Sequence, residues 1–134
     1  MAMEDAVRAR ALVGVPFRPQ GRVPERGLDC VGLVLSACGL PTDLVQANYR
    51  LSGDHRATLM IELLRFFRCL GRGQRRIGDV LLMAVAGDQM HLGVLTDGGF
   101  VHADGRLRKV VETPGEPEWP VIGIYRRRMR RRKK

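Results

Sequence analysis

One cysteine and two histidines in this sequence have the types and positions that nucleophilic chemistry requires. Cys30 stands where a loop rich in turn residues gives way to an apolar helix. The positive end of a helix dipole favours the thiolate, which is the reactive form of cysteine. His91 and His102 lie far downstream in strand-like segments, and imidazole is a common base for such a thiol. A Cys-His-His set of this kind suits acyl transfer or amide hydrolysis.

The two histidines are predicted to meet across a β-hairpin. Asp97-Gly98 between two apolar segments is a strong signal for a two-residue turn. A turn of that length places His102 opposite Gly93 and diagonal to His91, so both imidazoles lie on one face of the sheet. We therefore expect His102 to hydrogen-bond the far nitrogen of His91 and to hold it in the tautomer that acts as a base.

Helical periodicity dominates the first half of the chain and strand periodicity the second. We predict a helix over residues 3–13, a buried helix that begins at Cys30 with Asp29 as its N-cap, and a third helix from Ala57 to Leu70. Strands are predicted at residues 79–85, 90–96, 99–103, 107–111 and 121–126. Helices followed by strands indicate an α+β fold, with a small antiparallel sheet packed against the Cys30 helix.

The length and the charge distribution of the sequence predict one domain followed by a basic C-terminal tail. The 134 residues suffice for a single core, and the net charge of +9 is concentrated in a final segment of eight basic residues. We expect a domain over residues 1–125 and a tail from Arg126 to Lys134 that contacts acidic surfaces or DNA without sequence preference. No membrane span and no signal peptide is evident, so we expect synthesis in the cytoplasm.

Other interpretations of the cysteines and histidines stay open at this point. Three cysteines without CxxC spacing predict free thiols, and the neighbours of Cys38 and Cys69 predict that both are buried. Cys30, His91 and His102 could each be an ordinary core residue, and together they could hold a metal ion.

Five segments carry a resemblance to a known family, and they are Gly14-Val15-Pro16-Phe17, Leu28-Asp29-Cys30-Val31-Gly32-Leu33, Gly78-Asp79-Val80-Leu81-Leu82, His91-Leu92-Gly93-Val94 and Phe100-Val101-His102-Ala103. In these segments, which follow the family's order, the chain resembles the NlpC-type cysteine peptidases, papain-like enzymes of bacterial cell walls. The resemblance implies a papain-like fold, no metal and no organic cofactor. It also implies a thiol protease that hydrolyses amide bonds in the stem peptides of peptidoglycan.

The resemblance also implies roles for individual residues. Cys30 would be the nucleophile, His91 the base and His102 the orienting residue, while Asp29 would bind the free amine of the substrate. Two positions of the substrate-binding region depart from the family's pattern, because Phe17 replaces a frequent tyrosine and Val31 a frequent serine.

The segment from Gly14 to Arg22 looks most like the branch found in the tails of phages and of phage-like gene transfer agents. The resemblance then implies a virion component that is delivered to the cell wall by the particle and contacts tail or baseplate proteins. The alternative is a weakly active or inactive structural tail component of the same fold, which the changes at Phe17 and Val31 suggest.

Overall fold

The computed structural model describes residues 2–41, 64–85 and 89–128. Its α-helices are α1 (Ala2–Ala11) and α2 (Cys30–Ala37), and a short 3-10 helix spans Arg72–Gln74. The strands are β1 (Arg22–Val23), β2 (Gly27–Leu28), β3 (Phe67–Leu70), β4 (Val80–Ala84), β5 (Met90–Leu95), β6 (Gly99–Asp104), β7 (Lys109–Pro114) and β8 (Val121–Arg127). Within these residues, no helix is long and apolar enough to cross a membrane.

Six strands form an antiparallel sheet in the order β3-β8-β4-β5-β6-β7, and β1 pairs with β2 in a separate small hairpin. Because successive side chains of a strand point to opposite faces, the sheet has two distinct surfaces. Leu92 and Val94 of β5 face the helices and belong to the main core. Phe100 belongs to a second cluster that is packed against Trp119 on the other face.

Helix α2 is the central element of the main core. Asp29 caps it as predicted, because its carboxylate accepts a hydrogen bond of 2.8 Å from the backbone N–H of Gly32. Every residue of α2 except Ser36 is buried. The helix ends before Gly39, whose φ of +67° is the left-handed conformation that glycine adopts without strain. Helix α2 therefore packs on the sheet with its first residue, Cys30, inside the core.

The predicted hairpin register is confirmed. Val94 pairs with Val101 and Leu95 with Phe100, as a two-residue turn at positions 97–98 requires. Within these two fully described strands, the ladder stops before Gly93.

The third predicted helix is wrong at its C-terminal end. Residues 57–63 lie outside the described residues and 64–66 are helical, but Phe67–Leu70 is the edge strand β3. It pairs with β8, so an available strand edge overrides the helical pattern. The prediction that Cys69 is buried is also wrong, because its side chain faces outward from this edge, whereas Cys38 is buried as expected.

Strand β8 includes the first two residues of the predicted tail. Arg126 makes a two-pronged ion pair with Asp79 at 2.8 and 2.9 Å, and Arg127 pairs with Asp5 at 3.0 Å. Both carboxylates are fully buried. Two cations of the basic segment therefore neutralise buried acids of the domain, and residues 129–134 lie outside the described residues.

Replacing Gly32 by alanine is expected to destabilise the protein by about 2 kcal/mol. A Cβ at this position would lie 2.1 Å from the backbone oxygen of Gly21, which the loop holds against α2. Helix propensity alone would favour alanine by about 1 kcal/mol, so the sign of the effect decides between the two causes. Urea denaturation of Gly32→Ala measures it. Ser36→Ala in the same helix is the control, with a change below about 0.5 kcal/mol, and a stabilised Gly32→Ala would contradict the close approach.

Candidate active site

His91 of β5 and His102 of β6 form a hydrogen-bonded pair. Nε2 of His91 lies 2.8 Å from Nδ1 of His102, and the two rings meet edge to face with centroids 5.0 Å apart. Gly93 stands between them, where a Cβ would lie 3.1 Å from the ring of Phe100. The structure therefore brings together the two histidines that the hairpin register predicts, and within the described residues Nδ1 of His91 has no hydrogen-bond partner.

Three further side chains surround the pair, of which Trp119 and Thr113 were not predicted from the sequence. The ring of Phe100 stacks on His102 at 4.6 Å, and the ring of Trp119 meets both imidazoles edge to face. The hydroxyl oxygen of Thr113 lies 2.8 Å from Nε2 of His102. Trp119 is the single tryptophan of the sequence and stands in a Pro-rich loop, a signal that could have drawn attention to it.

The surroundings keep the imidazoles neutral. Burial lowers the pKa of His91 to about 4, the charge of His102 lowers it further, and Asp104 acts in the opposite direction. Burial also lowers the pKa of His102. A neutral His91 is the form that can accept a proton, and it is the dominant form at all pH values well above 4.

Cys30 lies at the start of α2 with only 4% of its surface exposed. Its burial raises the pKa of the thiol to about 12, and the neighbouring carboxylate of Asp29 adds to this, while hydrogen bonding from the backbone of Leu92 acts to lower it. The expectation that the helix dipole makes Cys30 a thiolate is therefore wrong for this structure. Loss of hydration outweighs the dipole at a fully buried sulfur.

Cys30 lies near β5, the strand that carries His91. Cys30 and Leu92 belong to the same core cluster, and the backbone of Leu92, the residue that directly follows His91, acts to lower the pKa of the Cys30 thiol. The side chain of Leu92 packs with α2, whereas that of His91 lies on the face of Phe100 and Trp119. In the described part of the chain no hydrogen bond joins the Cys30 thiol to His91. The structure thus assembles the histidine pair and places the thiol beside the strand that carries its first member.

A cleft of about 330 Å³ opens beside His91. Its walls include His91, Trp119, and the turn at Asp104 to Arg106. The ring of Phe17 lies at this turn, because a Cβ on Gly105 would be 3.7 Å from it. Phe17 is therefore close to the cleft, as a substrate-binding role requires, and that role remains a prediction.

The two other predicted substrate-binding residues are occupied in the structure. Oδ1 of Asp29 accepts hydrogen bonds from Arg22, at 2.7 Å, and from the N–H of Gly32. Val31 is 3% exposed and belongs to the main core. An amine of a substrate would have to share Asp29 with Arg22, and Val31 offers no surface to a substrate in this arrangement.

The metal-site alternative has no support in the described residues. No group of three or more His, Cys, Asp or Glu side chains within residues 2–41, 64–85 and 89–128 is placed to hold a metal ion. His102 of the pair bonds the hydroxyl of Thr113 through Nε2.

No protein-family model and no curated protein matches the sequence. Solved structures do match: the P60 domain of the antigen MAP1204 from M. avium subspecies paratuberculosis is 23% identical, with a TM-score of 0.58 over 93% of each chain. The peptidoglycan hydrolase RipB from Mycobacterium tuberculosis is 24% identical, with a TM-score of 0.60 over 93% of this chain and 64% of that one. The chain has the NlpC/p60 fold.

A third match within the NlpC/p60 fold is informative for a different reason. RipD from Mycobacterium tuberculosis, a non-catalytic NlpC/p60 domain protein adapted to a peptidoglycan-binding function, is 18% identical, with a TM-score of 0.54 over 93% of this chain and 95% of that one. These likenesses confirm the predicted α+β, papain-like class. Because catalytic and non-catalytic proteins share the NlpC/p60 fold, the site itself has to decide the activity.

Iodoacetamide is expected to alkylate Cys30 slowly at pH 7, because only the thiolate reacts and the pKa of this thiol is about 12. The alkylation rate is expected to rise about tenfold per pH unit up to pH 10. Site-resolved mass spectrometry measures the rate, in a Cys69→Ser background that removes the exposed thiol. The same protein in urea is the control, and its Cys30 reacts fast. Rapid alkylation that is constant between pH 5 and 8 would instead show a thiolate-imidazolium pair.

Proposed function

We propose that the chain is a cysteine endopeptidase that hydrolyses amide bonds in the stem peptides of peptidoglycan. The observation that supports this most is the pair of His91 and His102, hydrogen-bonded at 2.8 Å beside a cleft, with His91 next to Leu92, which shares a core cluster with Cys30. The NlpC/p60 fold, which the peptidoglycan hydrolase RipB also has, supports the choice of substrate.

The proposed reaction starts from a neutral thiol and a neutral imidazole. The proposal requires the Cys30 sulfur and Nδ1 of His91, which no hydrogen bond joins in the described structure, to come within reach when the substrate binds. As the sulfur then attacks the carbonyl carbon, its S–H bond breaks and the proton moves to Nδ1 of His91, while the electron pair forms the new S–C bond. In this proposal the backbone N–H groups in the first turn of α2 would donate to the oxyanion, apart from that of Gly32, which is bonded to Asp29. His91 then gives the proton to the leaving amine, and water hydrolyses the thioester. A general base that acts during the attack is required because the resting thiol is not ionised.

Purified protein incubated with peptidoglycan is expected to release new amine termini, and Cys30→Ala is expected to abolish the release. Alanine keeps a small apolar side chain at this buried position, so the fold should survive, which circular dichroism checks. Comparing amine release from cell walls with different stem peptides identifies the amide bond that is hydrolysed. No release by the natural sequence from any of these walls would refute the peptidase proposal.

The second candidate function is peptidoglycan binding without catalysis. The buried, un-ionised Cys30 thiol, with no hydrogen bond to His91 in the described structure, favours it. RipD, described as non-catalytic and adapted to peptidoglycan binding, shows that the fold supports this function in another protein. Co-sedimentation with insoluble peptidoglycan, unchanged in Cys30→Ala and without released amines, would establish this candidate over the first.

We further propose that a phage-like tail or gene transfer agent carries this protein to the cell wall. The resemblance of the segment from Gly14 to Arg22 to that branch supports it, and the loop is ordered against α2 through Gly21 and Gly32. Mass spectrometry of purified particles from the producing cells is expected to find the chain among tail or baseplate proteins. Its absence from such particles, when cell extracts contain it, would contradict this delivery route.

A further inference from the structure

The hydrogen bonding of the histidine pair continues to a third residue. Nε2 of His91 contacts Nδ1 of His102 at 2.8 Å, and Nε2 of His102 contacts the hydroxyl of Thr113 at 2.8 Å. Thr113 lies in β7 and pairs with Phe100 of β6. Phe100 and His102 are two residues apart, so their side chains lie on the same face of the sheet. Three adjacent strands, β5, β6 and β7, thus contribute one residue each to these hydrogen bonds. His102, the middle residue, is 2% exposed.

The number of ring protons restricts how the hydrogen bonds from His91 to His102 and Thr113 can support His91 as a base. If His91 is to take a proton on Nδ1, its other proton must stay on Nε2 and point at His102. Nδ1 of His102 must then accept, so the single proton of a neutral His102 lies on Nε2. That proton points at Thr113, whose hydroxyl oxygen has to accept it.

We propose that Thr113 is a positioning residue, which accepts the Nε2–H of His102 and so fixes the tautomer that leaves Nδ1 of His91 open for a proton. The role of Nδ1 as the acceptor of the Cys30 proton rests on the proposed peptidase function, whereas the tautomers themselves do not. No covalent bond to Thr113 forms or breaks.

Other neighbours of the pair do not supply this function. Asp104 and Arg106 act on the pKa of His102 in opposite directions, and the carboxylate of Asp104 bonds the backbone N–H groups of Arg106 and Leu107. Phe100 and Trp119 contact the imidazoles only through their rings. Within the described residues, the Thr113 hydroxyl is the hydrogen-bond partner that His102 has besides His91.

Nitrogen-15 NMR of the histidine side chains tests the proposal without any substrate. Two-bond proton-nitrogen correlations at pH 7 distinguish the two neutral tautomers, and single-histidine substitutions assign the signals. In the natural sequence His91 and His102 are both expected to carry the proton on Nε2. In Thr113→Val, His102 is expected to show substantial Nδ1–H tautomer and His91 to follow, while Thr113→Ser restores the natural pattern.

Thr96→Val is the matched control, because Thr96 is a buried threonine whose hydroxyl, like that of the half-buried Thr113, makes a side-chain bond, in this case to Glu112. It is expected to leave both tautomers unchanged. Identical tautomers in the natural protein and in Thr113→Val, or a natural His102 protonated on Nδ1, would overturn the proposal.

Kinetics separate this inference from the proposed function. In an active enzyme, Thr113→Val is expected to lower kcat about tenfold with little change in KM, which Thr113→Ser restores, as the loss of one buried hydrogen bond suggests. If the natural protein releases no amines but the tautomers respond as expected, the peptidase proposal fails and the role of Thr113 in the tautomer stands. If amines are released and the tautomers do not respond, only the role of Thr113 fails.

Discussion

Replacing His91 by alanine is expected to lower kcat/KM for peptidoglycan hydrolysis on the order of a thousandfold. The thiol of Cys30 has a pKa of about 12, so almost none of it is ionised at pH 7 without a base. His91 is the proposed base, because burial keeps its pKa near 4 and Nδ1 has no partner in the described residues. Amine release from peptidoglycan under subsaturating substrate measures the loss.

Two comparisons show whether His91 acts as a base. Added imidazole is expected to restore part of the activity of His91→Ala, since the cleft at this position is open. His102→Asn keeps an acceptor for the Nε2–H of His91 and is expected to lower kcat/KM about tenfold. Activity of His91→Ala within a few fold of the natural protein would exclude His91 as the base.

Replacing Asp79 by alanine is expected to lower the free energy of unfolding by about 3–5 kcal/mol. The fully buried carboxylate accepts three hydrogen bonds, two from Arg126 at 2.8 and 2.9 Å and one from the backbone N–H of Arg76 at 2.7 Å. Its removal leaves the guanidinium of Arg126, whose side chain is 16% exposed, with the backbone oxygen of Gln74 as a partner but no carboxylate to balance its charge. Urea denaturation measures the change.

The matched control for Asp79 is Glu116, which pairs with Arg75 at 2.5 Å on the surface and is 68% exposed. Glu116→Ala is expected to change the free energy of unfolding by less than about 1 kcal/mol, because water screens exposed ion pairs. The double variant Asp79→Leu with Arg126→Met is expected to be more stable than Asp79→Ala alone. Equal losses for Asp79→Ala and Glu116→Ala would show that burial of the pair contributes nothing.

Local signals were sufficient for the parts of the site that depend on short stretches of chain. Asp97-Gly98 predicts the hairpin turn, and the turn alone determines that His91 and His102 share a face. Asp29 predicts the start of α2, because capping is a property of adjacent residues. Both predictions are confirmed for the same reason: the interacting groups are close in sequence.

Features that depend on distant contacts were missed. The pKa of Cys30 follows from burial under the sheet, which outweighs the local helix dipole. Thr113 lies beyond the end of the predicted strand at 107–111, so its contact with His102 could not be derived from the register of one hairpin. Phe67–Leu70 becomes a strand because β8, more than 50 residues later, offers it an edge.

The position of β8 has a consequence for how the molecule is made. This strand lies between β3 and β4, although it is synthesised after every other strand of the sheet. Until it leaves the ribosome, β3 and β4 have no common neighbour. Asp79 then lacks Arg126, and Asp5 has Arg8 but lacks Arg127. At about 5–20 residues per second, the nascent chain spends seconds in this incomplete state. The described sheet therefore closes only after β8 has been synthesised, by insertion of this strand between β3 and β4.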